Sequence, residues 1–204
     1  MAAVRPIRSP APEPVGLHTQ AMANLRFIRH AMENAGSFTA VPGLGGMLMG
    51  ATALFAAFAA HLSKSPRAWL AIWSGEALLA LAIGLGFSYR KALRNNTPLL
   101  SKPFRRFVLA MMPAVFVGAL LTGVLQRAGT PQLMPAVWLL LYGVGISSGG
   151  AFSVRVVPIM GISFLAIGTV AAVAPASWAD PLMALGFGGL HIIFGFTIAR
   201  YYGG

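Results

Sequence analysis

An all-α membrane protein with six transmembrane helices is the fold class the sequence predicts, and three observations predict it. Of 204 residues, 57% are hydrophobic and only 9% are charged, against roughly 25% charged in an ordinary soluble domain. Six apolar runs, near 43–62, 68–89, 107–125, 132–153, 156–174 and 180–200, are each long enough to cross a hydrocarbon core of about 30 Å, which takes about 20 helical residues. The Lys and Arg residues fall between these runs. A net charge of +11 therefore reads as a set of topology signals, and no nucleic-acid groove is expected.

Placing the N-terminus in the cytoplasm puts Arg5, Arg8, Arg26, Arg29, Arg90, Lys91, Arg94, Lys102, Arg105, Arg106, Arg155 and Arg200 inside, and only Lys64, Arg67 and Arg127 outside. That bias is the one the positive-inside rule describes, so both termini are expected in the cytoplasm. Trp69 and Trp178 then fall at outer helix ends, and Tyr89, Tyr201 and Tyr202 at inner ends, where amphipathic rings favour the headgroup level. Twelve of the fifteen basic residues are Arg, and Ala and Gly are abundant. This composition suggests a GC-rich bacterial gene and hence the plasma (inner) membrane.

Along the chain, residues 1–16 contain four prolines and little to bury, and are expected to form a disordered cytoplasmic tail. Residues 17–36 read as an amphipathic helix with Thr19 as N-cap, a stripe of Ala21, Leu25, Ile28 and Met32, and Gly36 as the stop. Arg26 and Arg29 lie off the stripe. Such a helix suits the anionic inner leaflet, the surface of the bundle or a cytoplasmic protein partner. Residues 37–204 form the six-helix domain. Short links around 63–67, 126–131 and 175–179 predict three antiparallel hairpins. The ends GFSYR, GAFSVR and GFTIAR of the even-numbered spans repeat Gly, Phe, Ser or Thr, then Arg, either through common descent or through shared anchoring physics. The 90–106 link is basic at both ends, and Arg90, Lys91, Arg94, Lys102, Arg105 and Arg106 are candidate contacts for lipid headgroups or a partner. Gly46 with Gly50 and Gly145 with Gly149 are small-residue steps that let membrane helices approach closely, and a homo-oligomer is compatible with this chain length.

Two ionisable residues stand inside the spans. Glu76 lies about eight residues into the second, where a charge costs a few kcal/mol unless offset. Its own helix offers no polar side-chain partner one turn away, so a partner must come from another helix. His191 lies at similar depth in the sixth, on a face shared with Ala184, Gly188 and Gly195. A Glu76–His191 contact is the expected polar centre. His61 and Asp180, at the outer margin, read as solvated surface residues.

The chain has no cysteine, which excludes disulfides, thiolate metal sites and thiol catalysis. One intramembrane His without acidic or Cys clusters predicts no metal and no cofactor. Six spans with a serine in the fourth and a histidine in the sixth invite comparison with rhomboid proteases, but the resemblance fails. Ser147 and Ser148 lie near the inner end of their span without a Gly-x-Ser-Gly motif, far in depth from His191, and are expected to bond the preceding turn's carbonyls. No enzyme is predicted. The expected function is a small transporter or channel-like protein for ions or small solutes with a protonatable centre. The alternative is a membrane-anchored regulatory or assembly protein acting through residues 17–36 and the basic link.

Overall fold

A computed structural model of the chain describes residues 17–35, 41–63, 65–94 and 101–202. The expected disordered tail, residues 1–16, lies outside them. The described residues are all-helical, and the chain divides into two units, one ending at Gly36 and one spanning Ser37–Gly204. The first contains α1 (Leu17–Ala35). The second contains six helices long and apolar enough to cross a membrane: α2 (Gly43–Leu62), α3 (Pro66–Arg94), α4 (Lys102–Arg127), α5 (Pro131–Gly150), α6 (Val156–Val173) and α7 (Ala176–Tyr201).

Several helix ends overrun the apolar runs. α3 continues through Arg90 and Lys91 to Arg94, and α4 starts at Lys102. Arg and Lys are good helix formers, so a span need not stop where its apolarity stops. The start of α4 is set by a local cap: the Ser101 side chain accepts from the Phe104 backbone N–H, and Pro103 occupies the first turn, where its missing N–H costs nothing. At the other end of α4, Gly129 adopts φ +71°. The Thr130 N–H reaches the Leu125 carbonyl at 3.0 Å, closing a Schellman-type stop before Pro131.

Within the second unit, α2 packs on both α3 and α7, and α5 packs on both α4 and α6. Glycine makes these approaches possible. A Cβ on Gly50 would lie 2.6 Å from the Gly188 carbonyl oxygen, and one on Gly46 would lie 3.2 Å from Gly195 Cα, so α2 and α7 meet backbone to backbone. Gly145 and Gly149 do the same for α5 against Ala114, Met111 and Phe107 of α4, while Gly143 and Gly150 face Leu165 and Pro158 of α6. Between membrane helices there is no hydrophobic drive, so such close van der Waals contact is a main source of association. α7 is sequence-adjacent to α6, but its broadest contact is with α2. By contrast α3 and α4 leave most of their side chains uncovered.

Two polar ties mark opposite ends of the α2–α3–α7 group. At one end Trp69 Nε1 of α3 donates to Asp180 Oδ1 of α7 at 2.8 Å, and His61 Nδ1 of α2 lies 3.6 Å from Asp180 Oδ2. Asp180, expected as a solvated residue, is thus mostly covered, its side chain 22% exposed. At the other end Lys91 Nζ donates to the carbonyls of Val41 and Tyr202, at 3.0 and 3.1 Å.

Candidate functional site

α3 buries one stripe. Trp73, Glu76, Ser88 and Lys91 are its buried residues along with Ala92, and the spacing from 73 to 76 and from 88 to 91 keeps each pair on one face. Glu76 is therefore turned toward α2, where Thr52 Oγ1 stands 2.8 Å from its Oε1. Thr52 Oγ1 is also 2.9 Å from the Met49 carbonyl and 3.2 Å from that of Leu48. A threonine hydroxyl carries one proton and two lone pairs, so it donates to one of these acceptors at a time and can accept from a protonated Glu76 while donating to Met49.

His191 is buried among aromatic rings. Its Nε2 is 2.8 Å from the Tyr142 hydroxyl of α5. Phe164 of α6 stands edge-on with its centroid at 5.5 Å, and Phe187 lies nearly parallel at 6.3 Å. Residues 184–190, immediately before His191, form π-helical turns containing Gly186, Gly188 and Gly189. Wider turns of this kind are rare and recur at functional sites. Nδ1 of His191 is buried without a hydrogen-bond partner. Because a hydroxyl both donates and accepts, Tyr142 donates to Nε2 in one neutral tautomer and accepts from it in the other.

The expected Glu76–His191 contact is not formed. Each residue has its own hydroxyl partner, Thr52 for Glu76 and Tyr142 for His191. The carboxyl is taken up by Thr52 of α2, whose neighbour Gly50 packs on Gly188 and Ile192 of α7, while the imidazole turns to α5. Gly188 and Gly195 face α2 while His191, following the π turn, faces α5 and α6. The seam predicted for one face is divided over two. An aromatic series runs alongside both groups: Trp69 stacks on Trp138 at 5.6 Å, Trp73 meets Phe187 at 6.0 Å, and Phe187 meets Tyr142 at 5.1 Å. Trp73 Nε1 within it is buried without a partner, as is Ser147 Oγ, which faces Gly161 on α6 rather than bonding a preceding carbonyl.

Among the basic residues, Arg26, Arg90, Arg94, Lys102, Arg105 and Arg106 are exposed, while the Arg29 side chain lies outside the described residues. Lys91 departs from the expectation of a lipid or partner contact. It is only 8% exposed and serves as an internal clasp between the start of α2 and the end of α7. Thr52 and Tyr142 are the site residues that sequence reasoning missed. The available signal was that each is a hydroxyl at mid-depth of an apolar span, but a hydroxyl alone does not say which way its helix is turned. The chain matches no protein-family model, no curated relative and no solved structure.

Proposed function

We propose that the chain is a small proton-dependent transporter or channel-like protein of a bacterial plasma membrane, with Glu76 as the group that is loaded and unloaded. The observation that carries this reading is the Glu76–Thr52–Met49 chain. With Glu76 ionised, the Thr52 hydroxyl donates to its carboxylate. With Glu76 protonated, the acid donates to Thr52 and the Thr52 proton turns to the Met49 carbonyl. Both states keep the hydroxyl bonded, and no heavy atom has to move. An intramembrane carboxyl is costly to retain, and a site that accommodates both protonation states gives it a use. Tyr142 and His191 form a second, separate protonatable site in the same bundle.

The decisive measurement is proton flux in proteoliposomes. Glu76→Gln keeps shape and presents an amide donor to Thr52, so it holds the loaded arrangement permanently. Flux in the wild type, lost at least tenfold in a folded Glu76→Gln protein and lowered in Thr52→Val, is the expected result. Wild-type flux that survives Glu76→Gln, or no flux from the wild type under any applied gradient, rejects the reading.

A second reading, a membrane-anchored assembly protein that acts alone or as a homo-oligomer, is favoured by the exposed Arg90, Arg94, Lys102, Arg105 and Arg106 that bracket the α3–α4 link. The charge bias further supports cytoplasmic termini and hairpins opening to the cytoplasm. Single cysteines replacing Pro10 and Thr97, in this cysteine-free chain, are expected to resist impermeant reagents on intact cells, while cysteines replacing Ser65 and Gly129 are labelled. Labelling at position 97 reverses the orientation.

A further inference from the structure

The inference concerns α1 and does not depend on the transport reading. Over its described side chains, residues 19–28, every residue is exposed, with Leu25 at 60% and Ile28 at 51%. Ala21, Leu25 and Ile28 follow the four-and-three spacing that sets them on one side of the helix, an exposed apolar face. Phe27, also exposed, lies off that face. A helix of this kind in water would bury the stripe against something, and three features of the chain select the occupant. First, residues 1–36 carry four arginines against two glutamates, Glu13 and Glu33, so the segment is attracted to negative charge. Second, Arg26 and Arg29 fall within the same two turns as the stripe, so their charge stands within about a helix diameter of the headgroups that the apolar residues would meet. Third, seven residues separate Ala35 from Gly43, the first residue of a membrane-crossing helix, and extended chain covers about 3.5 Å per residue. A bilayer is always within reach of that tether. It therefore acts at high effective concentration, as a free protein partner does not.

We infer that α1 lies along an anionic membrane surface, with Ala21, Leu25 and Ile28 in the headgroup–acyl boundary and the net positive charge of the segment attracted to lipid phosphates. The shallow, one-sided stripe suits an interfacial position and is too short to span. The attraction has two parts of different character. Burial of the stripe is insensitive to salt, and the arginine contribution is screened as the Debye length falls from about 10 Å at 0.1 M to about 3 Å at 1 M.

The test uses the full-length protein in nanodiscs, with single nitroxide-labelled cysteines at each position from Gln20 to Ile28. Accessibility to oxygen, which partitions into lipid, is compared with accessibility to a water-soluble nickel complex. In phosphatidylglycerol-containing nanodiscs the oxygen-to-nickel ratio is expected to oscillate with helical period, highest at positions 21, 25 and 28 and lowest at 23, 26 and 27. Purely zwitterionic nanodiscs or 1 M salt should reduce the amplitude several-fold, and Arg26→Gln with Arg29→Gln together should do so at low salt. Nickel access at every position places α1 in water and overturns the inference. Protection of the stripe from both reagents, unchanged by lipid composition and retained in detergent, means that protein covers it, and overturns the inference equally.

Discussion

Gly50→Val is expected to destabilise the α2–α7 pair by about 3 kcal/mol or more, toward or beyond the upper end of what overpacking usually costs. A Cβ at this position would stand 2.6 Å from the Gly188 carbonyl oxygen and 2.9 Å from the Ile192 backbone nitrogen. Both neighbours are backbone, so neither yields by changing rotamer. The helices must separate, and separation also removes the contacts of Gly46 with Gly195 and of Gly43 with Ala199 along the same seam. The comparison that isolates packing from propensity is Gly86→Val on α3 and Gly123→Val on α4, where nothing lies within 4 Å of the added atom. Those changes should fall within about 0.5 kcal/mol. Reversible unfolding of the three variants in detergent or bicelles checks the contrast. Equal effects at positions 50, 86 and 123 would show that the α2–α7 seam is not the close contact described.

Lys91→Met should cost about 2 kcal/mol and loosen both chain segments that the ammonium holds. Hydrogen bonds from a charged donor contribute roughly 1.5–3 kcal/mol each, and the burial cost of the ammonium, removed along with it, offsets part of the loss. The Val41 and Tyr202 carbonyls lose a donor supplied from a third helix, and Tyr202 lies where α7 ends with its last carbonyls uncapped by intrahelical bonds. Hydrogen exchange should therefore quicken by tenfold or more in the last turn of α7 and at the start of α2, while the Trp69–Asp180 end stays unchanged. Arg90→Met, one residue earlier and exposed, is the matched control and should shift stability by no more than about 0.5 kcal/mol. If Arg90→Met and Lys91→Met behave alike, the clasp contributes nothing.

The contrast between those two neighbours shows how far the sequence is readable. Counting charges assigned Arg90 and Lys91 the same role, because the positive-inside rule counts residues within a segment and ignores helix rotation. The structure separates them: Lys91 falls three residues after Ser88, on the face that the helix buries, whereas Arg90 is turned about 100° away. Glu76 was legible in part. The cost of a bare charge in a span implied a partner on another helix, and Thr52 is one. Which helix supplied it was not legible, and the choice of His191 went to the strongest polar group at matching depth.

The amino-acid sequence by itself determined that the chain is all-helical, where its six spans run and which few side chains inside them are ionisable. These follow from local quantities, namely the length and apolarity of each run and the obligation of every backbone group in lipid to be bonded within its own helix. Only the tertiary structure decided which faces meet. The glycines of α2 at 43, 46 and 50 bring it close against α7, Thr52 of the same helix takes the carboxyl, and His191, following the π turn at 184–190, meets Tyr142 while Gly188 stays on the seam. The physical reason is that lipid is as apolar as the side chains it touches. Hydrophobicity marks a span without orienting it, and rotation is left to close backbone contact and to scattered hydroxyls, whose partners lie far away along the chain.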